Sequence, residues 1–316
     1  MKKRIITALI LAFILLPVVV IPQLIRVFDV LVYLIAIFAS VELVNMYSKE
    51  KPIHPVMKII NAFLTILLMM SIINYFNYYC GDSLMLMLLR ALHMDMFLSP
   101  AVAIISIFVI MMAIMVINPS YTVADVGKFF ISITYIGVCT GAVTVLRYFG
   151  VRFVVYLAGI SVFTDIFALV FGMTLGKHKM APVTSPKKTW EGAIGGTAVA
   201  TISGALVIFL YPYFSKFFHN GQTIEFFDGI FRYNEFTIVG KIFSAITLTI
   251  FLSVCSQIGD LLASKLKRTY GIKDYSNIFP GHGGVLDRFD SLFFASTVFL
   301  IFLLIEMNIF GWPIGA

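Results

Sequence analysis

Between Ser264 and Asp290 the chain sets Lys265, Lys267, Arg268, Lys273 and Arg288 against Asp274, Asp287 and Asp290, with His282 among the closely spaced Gly281, Gly283 and Gly284. Fixed cations neutralise phosphate, and neighbouring glycines let backbone amides approach an anion. Two separated aspartates suit a hard divalent cation that binds through oxygen, such as Mg²⁺. The combination reads as metal and phosphate chemistry, although a Gly-His-Gly-Gly run alone is most simply a turn and His282 alone a hydrogen-bonding loop residue. Asp290 alone reads as a helix cap at the mouth of an apolar segment.

A second group precedes it. Gln257, Asp260, Ser264 and Lys267 recur at spacings of three, four and three, one polar stripe on a helix leaving the membrane. A lone boundary aspartate is as readily an interhelical hydrogen bond as a catalytic group; the serine and lysine on the same face favour function. Further upstream, residues 176–196 carry Lys177, Lys179, Lys187 and Lys188, then Ser185, Pro186 and Thr189, which read as the start of a helix, with Gly195 and Gly196 available for close helix contact. Lysines here also satisfy the ordinary cytoplasmic bias and contact with anionic headgroups. Asp165 lies inside an apolar run, where an unpaired charge costs about 2.5–3.5 kcal/mol on insertion scales. It requires a partner: a lysine of this loop, a neighbouring helix or a cation.

These groups must be held by membrane helices. The 316 residues are 60% hydrophobic and only 12% charged, with a mean hydropathy of +0.99, which excludes a soluble globular domain. Cys80, Cys139 and Cys255 lie in or beside apolar segments without paired spacing, so neither a disulfide framework nor a zinc site is indicated. Runs of about 20 apolar residues predict an all-α polytopic protein with nine spans, at 5–25, 28–47, 57–79, 97–118, 129–146, 151–173, 192–212, 238–262 and 292–311. The first is expected to be a retained helix rather than a cleaved signal, and Ser83–Met96, too short to span, to lie at the interface. With the N-terminus in the cytoplasm, 16 of the 23 Lys and Arg fall inside and seven outside, which places both charged loops, 174–191 and 263–291, on the cytoplasmic side. Residues 1–150 then read as a scaffold of about five helices, and 151–316 as the catalytic region.

The segment Ser264-x-Leu266-Lys267-Arg268-x4-Lys273-Asp274-x-Ser276-x2-Phe279-Pro280-x-His282-Gly283-Gly284-Val285-x-Asp287-Arg288-Phe289-Asp290 resembles the signature of the phosphatidate cytidylyltransferases, or CDP-diacylglycerol synthases. Ser185-Pro186-Lys187-Lys188-Thr189-Trp190-Glu191-Gly192 resembles the same family, as does Asp165 followed by Gly172, Gly176 and Lys177. The likeness is specific over 165–290 and general, as a string of spans, over 1–150.

The resemblance implies that the phosphate of phosphatidic acid attacks the α-phosphorus of CTP, giving CDP-diacylglycerol and pyrophosphate for phospholipid biosynthesis. It implies a Mg²⁺ and K⁺ centre on Asp260 and Asp287, with Lys267 and Ser264 in the catalytic centre. Lys187, Lys188, Arg268, Lys273, His282, Gly283, Gly284 and Arg288 are then the substrate-binding candidates, and Asp165 and Asp290 further ones. The expected setting is the inner cell membrane with the site facing the cytoplasm, as a homodimer among membrane lipids, with no nucleic-acid partner. Two other readings stand beside it: a CTP-dependent polyprenol or phytol kinase, which would release CDP, and a secondary transporter, whose marks also include an intramembrane acid and glycine-broken helices.

Overall fold

The computed structural model describes residues 13, 15–76, 83, 87, 90–91, 99–218, 223–227, 237–279 and 283–309. Eight helices among them are long and apolar enough to cross a bilayer. After a 3-10 turn at Pro22–Leu24 come α1 (Ile25–Tyr47), α2 (Pro55–Tyr75), α3 (Pro100–Ile117), α4 (Val123–Phe149) and α5 (Val151–Thr174). A hairpin, β1 (Lys179–Ala181) and β2 (Ser185–Thr189), leads into α6 (Trp190–Phe218), α7 (Ile238–Thr269) and α8 (Leu286–Ile309). The chain is therefore an all-α integral membrane protein apart from that hairpin, and the eight helices correspond to the second to ninth expected spans. The first, 5–25, lies mostly outside the described residues, as do Cys80 and all of 83–96 except Ser83, Met87, Arg90 and Ala91.

Local chemistry sets the helix ends. Proline opens α2 and α3, where its missing N–H costs nothing, with His54 and Ser99 as caps. A reciprocal pair starts α4: Asp125 N–H donates to Thr122 Oγ1 and Thr122 N–H to the Asp125 carboxylate. The helices overrun the apolar windows because backbone pairing continues past the hydrocarbon. The 32 residues of α7, about 48 Å at 1.5 Å each, carry Ser264 and Lys267 as helical residues.

The chain forms two compact units. The first comprises residues within 1–149 together with 266–289; the second comprises 150–265 and 290–314. In the first, α1, α2 and α4 meet on a buried polar knot. Asn61 Nδ2 donates to Ser40 Oγ at 2.8 Å and to Ser132 Oγ at 3.0 Å, and Ser40 and Thr65 share a 3.2 Å hydroxyl bond. Polar side chains on facing spans thus fix which helix faces meet. In the second unit α5 and α6 pack closely, because a Cβ on Gly195 would stand 2.5 Å from Phe171, and one on Gly196 2.6 Å from the Thr164 carbonyl. Hydroxyl pairs bind α7 to α5: Tyr156 with Thr249 at 2.7 Å, Thr164 with Ser253 at 2.8 Å and Ser161 with Ser256 at 3.1 Å.

The hairpin corrects one expectation. Ser185–Thr189 does not begin a helix; it is a strand, antiparallel to β1, with Lys179 opposite Thr189 and Ala181 opposite Ser185. The helix starts one residue later, where Thr189 Oγ1 accepts the Gly192 N–H at 3.2 Å. Glu191 in its first turn takes the Lys177 and His178 backbone N–H groups and pairs with His178 Nδ1 at 2.5 Å. The carboxylate clamps the base of the hairpin and complements the positive end of α6.

Candidate active site

In the second unit, α5, β2, α6 and α7 enclose a cavity of about 320 Å³ lined by Asp165, Ser185, Lys187, Lys188, Thr189, Gln257 and Asp260 with Ala168, Leu169 and Ala193. Lys188 Nζ stands 2.5 Å from Asp260 Oδ2, and both side chains remain open, at 27% and 29% exposure. Ser264 Oγ reaches the other Asp260 oxygen at a long 3.4 Å. Gln257 donates its amide N–H groups to Thr197 Oγ1 at 2.8 Å and the Ala193 carbonyl at 3.3 Å. Its carbonyl oxygen is left as the acceptor available to the cavity. Asp165, expected to need a partner inside its span, lines this same space together with Lys187 and Lys188.

The Mg²⁺ and K⁺ implied by the signature can be tested against these groups. Asp165, Asp260, the Gln257 carbonyl and the Ser185 hydroxyl form an oxygen-only set of the kind hard cations take. The ammonium of Lys188 already shows that Asp260 attracts positive charge there. The donor set fits, although among the described residues no three His, Cys, Asp or Glu side chains gather at one point.

In the first unit the loop after α7 is built around Asp287. Gly271, at φ +65°, adopts the left-handed geometry that ends the helix, with Ile272 N–H returning to the Lys267 carbonyl at 3.0 Å. Arg268 spans the same turn to the Ile272 carbonyl at 3.1 Å. Asp287, in the first turn of α8, receives Lys267 Nζ on Oδ1 at 2.6 Å, and the Tyr275 and Gly284 N–H groups on Oδ2 at 2.8 and 2.9 Å. Its side chain is 2% exposed and that of Lys267 12%. Lys267 also lies 5.2 Å from the centre of the Tyr275 ring, a cation–π contact. Gly283, at φ +82°, turns the chain so that Phe279 N–H meets its carbonyl at 2.9 Å. A side chain there would be strained and would meet the Asp287 carboxylate. As a cation ligand Asp287 fits less readily than Asp260, since three donors already occupy it.

The expected site residues thus fall into two groups. Asp165, Lys187, Lys188, Asp260 and Ser264 belong to the second unit; Lys267, Arg268, Lys273, Gly283, Gly284, Asp287 and Arg288 belong to the first. Lys187, Lys273 and Arg288 are exposed cations with no protein partner among the described residues, and His282 lies outside those residues. Asp290 is not a cap: α8 begins at Leu286, and the buried Asp290 receives the Ser291 N–H at 2.8 Å within the helix.

Glu42 escaped the sequence reading. It sits in the apolar run of α1, 2% exposed, and accepts Ser276 Oγ at 2.5 Å and the Val285 and Leu286 N–H groups at 2.9 Å each. A helix assigned to scaffold therefore caps the start of α8 and ties down the loop that presents Asp287. Gly284 is required beside it, because any Cβ would run into the Glu42 carboxylate. An acid inside an apolar span was the available signal.

A family model described as the cytidylyltransferase family matches residues 2–306. A protein named phosphatidate cytidylyltransferase from Bacillus subtilis (strain 168) is 29% identical over 96% of this chain and 97% of its own length. Proteins of the same name from Staphylococcus haemolyticus (strain JCSC1435) and Staphylococcus aureus (strain COL) are each 34% identical, over 60% and 58% of this chain respectively. The chain spans 65% of the length of each of these staphylococcal relatives, just under two thirds. With its match over nearly the whole sequence, the chain belongs to the cytidylyltransferase family.

Proposed function

We propose that the chain transfers the cytidylyl group of CTP to phosphatidic acid. A phosphate oxygen of the lipid bonds to the α-phosphorus, the bond from that phosphorus to the oxygen bridging the β-phosphorus breaks, and pyrophosphate leaves as CDP-diacylglycerol forms. The observation that carries this reading is a pair of carboxylates, Asp260 and Asp287, each holding a lysine, in a chain whose family transfers cytidylyl groups. The reaction brings two anions together and needs little proton chemistry, so positioning and charge neutralisation do most of the work.

Asp260, with Asp165 as a further oxygen beside it, would hold Mg²⁺ and K⁺ in the second unit, where the cations would supply positive charge against the triphosphate and the departing pyrophosphate, while Asp287 fixes Lys267 in the first. Lys188, beside Asp260, presents its ammonium to the cavity of about 320 Å³, and Lys187 adds a second charge there. Lys267, held by Asp287 and the Tyr275 ring, offers a fixed charge rather than a mobile one, which lowers the reorganisation needed as charge develops. Arg268, Lys273 and Arg288 add exposed positive charge in the first unit. Ser264 gives Asp260 its polar contact. The acyl chains stay in the bilayer, since extracting them costs about 0.8 kcal/mol per CH₂.

The loop charges favour a site on the cytoplasmic face of the cell membrane, and a homodimer is the proposed assembly. The test is to incubate purified protein with CTP, phosphatidic acid and Mg²⁺, with and without K⁺. CDP-diacylglycerol and pyrophosphate are expected; CDP with a phosphorylated alcohol would indicate a kinase instead.

A further inference from the structure

Residues 177–188 set cations on both sides of a short apolar tip. Lys177 and Lys179 come first, then Met180-Ala181-Pro182-Val183, then Lys187 and Lys188, with no acidic side chain among them. In the second unit this stretch forms the β1–β2 hairpin, and Val183 at its turn is 87% exposed. We propose that the hairpin is a membrane-docking element: its tip enters the acyl layer beside α5, and Lys177 and Lys179 bind the phosphates of anionic lipid headgroups.

The course of the strands turns the tip toward hydrocarbon. Thr189, at the base, sits against the last turns of α5, where a Cβ on Gly172 would stand 3.1 Å and one on Gly176 2.8 Å from its side chain. Ser185, next to the turn and paired with Ala181, lines the cavity together with Ala168 and Leu169. Those two residues lie five or six positions inside the Thr174 end of α5, about 8–9 Å at 1.5 Å each. The hairpin therefore lies back along α5 rather than beyond its end. The α5 surface at this depth is apolar and exposed, with Ile166, Leu169, Val170 and Met173 turned outward. Non-helical backbone is costly beside lipid unless its polar groups are met. Here β1 and β2 pair with each other, and β2 also borders the cavity.

Charge supplies the second half of the contact. Lys177 and Lys179 are exposed, with no protein partner among the described residues. Long lysine stems let the ammonium stay among headgroups while a neighbouring apolar segment goes deeper. A short apolar tip holds a bilayer weakly by itself, and basic residues beside it add attraction to an anionic surface. Lys187 and Lys188 stand on the same hairpin and line the cavity. Seating the tip in the bilayer thus holds their ammonium groups near the level of lipid phosphates.

The test attaches an environment-sensitive NBD label to Val183→Cys in the purified full chain, with wild type labelled alongside as the background. The protein is placed in phosphatidylcholine vesicles with and without about 30% phosphatidylglycerol. With the anionic lipid, nitroxide on the acyl chains should quench the label at least about 3-fold, and aqueous iodide by less than about 20%. Adding Lys177→Gln and Lys179→Gln should cut the nitroxide quenching about 2-fold in the anionic vesicles and leave it unchanged in pure phosphatidylcholine. A label open to iodide and indifferent to the nitroxide lipid overturns the insertion. Quenching that is the same with and without phosphatidylglycerol, or unmoved by the lysine substitutions, overturns the headgroup contact. None of these measurements needs turnover, so their outcome is independent of the cytidylyl-transfer reading.

Discussion

Two lysine–carboxylate pairs dominate the molecule, and they are built differently. Asp260 has one firm partner, Lys188, a long contact to Ser264 and an open cavity in front of it. Asp287 is closed in by Lys267 and two backbone N–H groups and is nearly inaccessible. A carboxylate with spare lone pairs and access to water can exchange partners, whereas one with every oxygen engaged organises the loop around it. The same residue types therefore carry opposite balances of reactivity and structure.

That contrast breaks most sharply in the stability of two variants. Asp287→Asn removes the counter-charge of a nearly buried lysine, a change that costs about 3–5 kcal/mol, and activity should fall about 10³-fold. Its thermal midpoint in detergent should drop by several degrees, and adding Lys267→Met should recover much of that drop without restoring turnover. Asp260→Asn should lose activity to the same extent, yet its pair is partly exposed and worth under about 1 kcal/mol. A midpoint close to wild type is expected, and a large drop would show that the two pairs are not different in kind.

Glu42→Gln comes next. It keeps the shape but weakens three charge-assisted bonds, each worth about 1.5–3 kcal/mol, so stability should fall while turnover drops about 10–100-fold. Titration with Mn²⁺ followed by electron paramagnetic resonance sharpens the cavity side of the comparison. Asp165→Asn should weaken Mn²⁺ binding about 10-fold; unaltered binding would remove Asp165 from the cation set. The smallest effect belongs to Thr189→Val, the loss of one helix cap, at about 1 kcal/mol and a change in turnover of no more than about 3-fold.

The motif around Asp287 was readable in sequence because charge, glycine and histidine interrupt apolar helices within 27 residues. What could not be read was its anchorage. Glu42 lies 243 residues before the Val285 amide it accepts, inside a window whose hydropathy marks only a span. The hairpin was missed for another reason: strands of three and five residues are defined by backbone pairing, and Lys-Met-Ala and Ser-Pro-Lys-Lys-Thr carry no apolar alternation. The overlong α7 shows a third limit, since hydropathy reports where the hydrocarbon ends and not where helical hydrogen bonding does.

The most direct test is to measure CDP-diacylglycerol and pyrophosphate formed from CTP and phosphatidic acid by wild type and by Asp260→Asn, in preparations matched for thermal midpoint. The account predicts both products from the wild type and none above background from the variant. A variant that kept a tenth of the wild-type rate, or a wild type that released CDP in place of pyrophosphate, would contradict it.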